Sequence, residues 1–117
     1  MPYKKILMDL LQDLPGAHAA VLLDAQGELV VEAGDGDARH RLIGAYQGIA
    51  LSRLEKLAND YPTGSVRALV SRHTQGQVVV TPLKDGYFLV LSLTPHANIA
   101  LGVHLLAKTA VLVNQEL

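Results

Sequence analysis

Between residues 65 and 93, three apolar runs (SVRALVSRH, QVVVTPL and YFLVLSL) are separated only by short turns at Gln75-Gly76 and Asp85-Gly86. Gaps this short hold no crossover helix, so neighbouring runs must fold back on one another as antiparallel hairpins. A second pair, 17–24 (AHAAVLLD) and 28–33 (ELVVEA), is joined through Asp24-Ala25-Gln26-Gly27. There the glycine supplies the positive φ of a tight loop. Five strands in two hairpin groups predict an antiparallel sheet.

Helical periodicity fills the rest. Residues 3–14 place Tyr3, Ile6, Leu7, Leu10, Leu11 and Leu14 on one face, and Pro15-Gly16 ends the segment. Residues 38–60 form the longest helical pattern, opened by Asp37 as N-cap and closed by Asn59-Asp60-Tyr61-Pro62 and Thr63-Gly64. Thr94-Pro95 opens a last helix over 96–115. The order is α-β-β-α-β-β-β-α, an α+β fold with helices on the sheet faces. A chain of 117 residues with no linker or internal repeat is expected to be one domain, 1–117.

Composition narrows the function. With 10 basic and 11 acidic residues there is no field to neutralise phosphates, which argues against nucleic acid as a partner. The absence of Cys removes disulfides, thiol nucleophiles and thiolate metal sites. Asp9 and Asp13 interrupt the apolar residues after Lys4-Lys5, so no signal-peptide core forms. Nor does any apolar run reach the roughly 18 residues of a membrane span, so the expectation is a cytoplasmic protein that does not insert into membranes.

Catalytic frames are missing too. There is no phosphate-binding loop G-x-x-x-x-G-K-[ST], no G-x-G-x-x-G after a strand and no G-x-S-x-G elbow. His18, His40, His73, His96 and His104 fall in no ligand spacing. Asp24, Asp35 and Asp37 lie outside any calcium-loop frame and read as turn formers. The expectation is a non-enzyme with no cofactor and no metal.

Two helices carry more than a sheet requires. At about 100° per residue, Leu42, Tyr46, Ile49, Ala50, Leu54 and Leu57 share one side of 38–60, expected to cover the sheet, with Arg53 snorkelling at its edge. Gly44, Gly48 and Ser52 form a small-residue stripe opposite, flanked by Arg41, Glu55 and Asn59. Each mid-helix glycine costs about 1 kcal/mol against alanine. Either the stripe lets another backbone approach closely, or the glycines are tolerated on a solvent face. In 96–115, Leu101, Leu105 and Leu112 sit opposite the main apolar stripe and face either the first helix or another chain.

The element order, the Asp24-Ala25-Gln26-Gly27-Glu28-Leu29-Val30 hairpin, the 38–60 helix and the Asp85-Gly86 turn into Tyr87-Phe88-Leu89-Val90-Leu91 resemble a Roadblock/LC7 domain over about residues 3–115. The resemblance implies the long helix on one sheet face and the terminal helices on the other. It also implies a homodimer, or a pair with a paralogue, in which the long helices and the following strand meet their counterparts. Small Ras-like GTPases are the implied partners, with this chain as a non-catalytic activator of hydrolysis or as a dimeric scaffold. No catalytic residue carries over; if an arginine finger operated, Arg39, Arg41 and Arg53 are the helix candidates. The expected interface joins Gly44, Gly48 and Ser52 with a polar rim of Arg41, Glu55, Lys56 and Asn59, and with Arg67, Leu69 and Ser71 of the strand 65–73, paired across the twofold axis.

Overall fold

The computed structural model describes residues 2–61 and 64–117, apart from the side chain of Arg41. Its elements run α1 (Pro2–Asp13), β1 (Ala17–Leu23), β2 (Leu29–Gly34), α2 (Ala38–Asp60), β3 (Leu69–His73), β4 (Gly76–Pro82), a 3-10 turn (Lys84–Gly86), β5 (Phe88–Leu93) and α3 (Ile99–Glu116). The predicted order holds throughout. Pro62 and Thr63, expected to close the long helix, lie outside the described residues. The strand expected over 65–73 is shorter, because pairing with β4 begins only at Leu69.

All pairings are antiparallel, and the five strands lie in the order β2-β1-β5-β4-β3. The turns work by named side chains. Asp24 Oδ1 accepts from the amides of Gln26 and Glu28, and Gly27 takes φ 82°. At the β4–β5 connection Asp85 and Gly86 both adopt left-handed φ, 61° and 80°, the conformation for which Asp-Gly is suited.

Alternation along the strands builds a core on each face. Leu22, Leu89, Leu91 and Leu93 turn toward α1 and α3, where they meet Leu7, Leu10, Leu14, Leu106 and Val113. Val21, Leu23, Val78, Val80, Phe88 and Val90 turn the other way, toward α2. Strands covered on both faces bury nearly all their side chains, His18 at the start of β1 excepted, which is why β1, β4 and β5 read as largely apolar runs. Leu101 and Leu105 pack into the α1–α3 core, as the bundle alternative required, while Leu112 stays exposed. Tyr3 Oη donates to the Glu116 carbonyl at 2.7 Å, tying the two terminal helices together.

Candidate interaction face and histidine cavity

The long helix sits on the sheet by the face opposite to the one expected. A Cβ built on Gly44 would lie 2.9 Å from Leu23 Cδ1 and 3.1 Å from Val90 Cγ2, and one on Gly48 would overlap the Phe88 ring. The small residues therefore do receive a close neighbour, but it is the chain's own sheet. Leu51 is the single large apolar side chain that α2 gives to that core. The stripe expected to cover the sheet points away from it: Tyr46 is 67 % exposed and Leu57 54 %, with Leu42, Ile49, Ala50 and Leu54 also exposed. Arg53 stands on that outward face, exposed, and does not reach past a sheet edge.

The ten expected interface residues consequently divide. Gly44 and Gly48 are buried against β1 and β5 and present no stripe to a second helix. Ser52 and Glu55 border a trough beside the two hairpin turns, and Lys56 and Asn59 are exposed near the helix end. Arg67 is exposed ahead of β3, Leu69 packs half-buried under α2, and Ser71 meets His73 Nε2 at 2.6 Å. The Arg41 side chain lies outside the described residues. The physical reason is size: Phe88, Val90 and Leu23 stand too high on the sheet for a leucine or tyrosine face above them.

Two sheet edges end in β2 and β3. The β2 edge is guarded, because Lys4 Nζ reaches across to the Glu32 carbonyl. A lysine on an edge is a common way to discourage strand addition. On β3 Val70 is exposed, and the charged Arg72 is exposed beside it.

The fold also assembles a cavity that the sequence spacing concealed. His18 from β1, His40 from the first turn of α2 and His73 from β3 line one pocket with Asp35, Asp37 and Ser92. His18 and His40 stack with ring centroids 6.4 Å apart. His40 Nδ1 lies 3.1 Å from Ser92 Oγ, and its Nε2 lies 2.8 Å from Asp35 Oδ1 without hydrogen-bond alignment. Asp35 also accepts from the Asp37 amide at 3.0 Å. That amide first, and His40 second, hold the Asp35 carboxyl below the usual carboxylate range. Asp37 accepts from Arg39 Nε, Nη2 and N, which lowers it to about 2 and raises the Arg39 guanidinium.

A serine, histidine and aspartate in line invite a nucleophile reading, and the geometry refuses it. Ser92 is 6 % exposed near the end of β5, and His40 Nε2 meets Asp35 without hydrogen-bond alignment, so the relay that would activate its hydroxyl is not assembled. The line instead fastens the first turn of α2 to β5 and to the turn before it. Among the described residues no three His, Asp or Glu side chains are placed to hold a metal ion. No helix is long and apolar enough to cross a membrane.

Fold and site together define an α+β domain with helices on both faces of one sheet, whose outward helix face and β3 edge are left uncovered. The chain belongs to the Roadblock/LC7 domain family, whose sequence model matches residues 3–92. It is similar to a Roadblock/LC7 domain from Streptomyces avermitilis, with a TM-score of 0.85 and 19% identity over 97% of this chain and 95% of that one. It is also similar to Myxococcus xanthus MglB, with a TM-score of 0.76 and 13% identity over 96% and 88% of the two chains. Myxococcus xanthus MglC gives a TM-score of 0.71 and 21% identity over the full length of both. None of the curated proteins compared with it matches the chain significantly.

Proposed function

We propose that this chain works as a dimer, with itself or a paralogue, that regulates a small Ras-like GTPase and brings no catalytic group of its own. The observation that carries the reading is the exposed apolar stripe of α2 together with the β3 sheet edge. Five large side chains (Leu42, Tyr46, Ile49, Leu54 and Leu57) stand on that stripe. Each is between 37 % and 67 % exposed, so covering them is worth about 1 kcal/mol each, roughly 5 kcal/mol together. Association itself costs on the order of 4–15 kcal/mol, so the helices alone make at best a weak pair. Pairing of β3 with its counterpart supplies the remaining contacts and joins two five-stranded sheets.

Family membership supports a GTPase partner, and the arginines fit a regulator that works through its partner's own groups. Arg39 is committed to Asp37, leaving Arg53 as the described helix arginine on the outward face. Turnover of GTP by a Ras-like GTPase from the same cell, with and without this protein, tests the reading. A changed rate supports a regulator. Binding with unchanged turnover replaces it with the scaffold reading, and no binding overturns both.

A further inference from the structure

On the flank of α2 away from β3, a cavity of about 350 Å³ opens between the helix and the two hairpin turns. Ala25, Gly27, Ala45, Gly48 and Phe88 form its apolar walls, and the small ones leave the space that larger residues would fill. Glu55 lines it as well. This carboxylate is half-buried, and among the described residues it makes neither an ion pair nor a hydrogen bond. A carboxylate on the wall of this trough without a partner is free to receive a cation. The acidic excess extends to the bordering turns, where Asp24, Glu28 and Asp85 stand against Lys84 alone.

We propose that this trough is a binding site for an arginine side chain carried on an extended segment of a protein partner. The methylene stem lies along the small apolar wall, and the guanidinium meets Glu55. A planar guanidinium suits the site better than an ammonium, because Tyr87 and Phe88 supply aromatic surface and weakly hydrated cations lose less on leaving water. Ile49, at the border of the outward stripe of α2, also lines the trough, so the trough adjoins the face proposed to pair. Every residue that lines it comes from one protomer.

N-acetyl-arginine amide, titrated into the isotope-labelled protein and followed by amide chemical shifts, tests this. N-acetyl-citrulline amide is the neutral control of the same shape. The expected result is saturable shifts at Gln26, Gly27, Ser52 and Gly86, with affinity about tenfold weaker for citrulline and for the Glu55→Gln protein, the loss of one charge-assisted contact. Equal affinity for the two probes, an unaffected Glu55→Gln protein, or shifts that never saturate would overturn the proposal. Because the site lies within one protomer, a chain that proved monomeric would still have to show these shifts.

Discussion

The ring of Phe88 occupies the space in which a side chain on Gly48 would begin. This contact sets how close α2 lies to the sheet and which of its faces looks outward. Gly48→Ala gains about 1 kcal/mol of helix propensity and must displace an aromatic ring in a packed core, at about 1–3 kcal/mol. The net effect expected in urea unfolding is a loss of stability. An alanine variant as stable as the parent would show that Phe88 yields freely and that the glycine is not required.

The outward stripe makes the opposite prediction. Leu57→Glu and Tyr46→Glu change residues that touch little within the protomer, so both variants are expected to stay folded. Light scattering is expected to show them shifted to monomer at concentrations where the parent is dimeric. Unchanged mass in both would remove α2 from the interface.

Strand β3 offers a measurement that needs no substitution. In the dimer, the amides of Leu69–His73 that β4 leaves free are expected to exchange slowly, and to become fast on dilution to monomer. Rapid exchange along β3 in a sample shown to be dimeric would exclude sheet pairing, leaving the helices as the whole seam.

The first turn of α2 is expected to respond to acid through Asp37. Its carboxyl is lowered to about 2 in the folded protein, chiefly by the Arg39 side chain and then by the Arg39 amide. A lowered folded pKa means the unfolded chain takes up protons first, so the stabilisation is complete above the ordinary carboxylate range. It is lost as pH falls from there toward 2. Asp37→Ala should therefore lower the melting temperature at neutral pH and bring no further loss below pH 2. A variant melting like the parent at neutral pH would mean that the cap does not hold this helix.

His40 is expected to act on the same turn from the sheet side. Replacing it by alanine removes both the Ser92 contact and the approach to Asp35. Faster amide exchange confined to the beginning of α2, with β5 unchanged, is the expected signature. Uniform exchange across α2 in variant and parent would show that the cap alone fastens the helix.

Much of this fold could be read directly from the chain. Closely spaced apolar runs with Gly76, Gly27 and Asp85-Gly86 between them admit only hairpins, and the burial of β1, β4 and β5 on both faces is written in their largely apolar runs. Asp37 announced the start of α2 because a cap is a local contact between residues two positions apart. These features depend on neighbours in sequence, and sequence is where they show.

What periodicity left open was which side of α2 meets the sheet. A helical wheel separates Gly44 and Gly48 from Leu42, Tyr46 and Leu57, yet the separation looks the same whichever side is buried. Phe88, Val90 and Leu23, distant in sequence, fill the space under the helix and admit only the small residues. The histidine cavity has the same origin, since His18, His40 and His73 meet only after β1, β3 and α2 are brought to one end of the sheet. Steric fit between remote side chains decided both, and no local pattern records it.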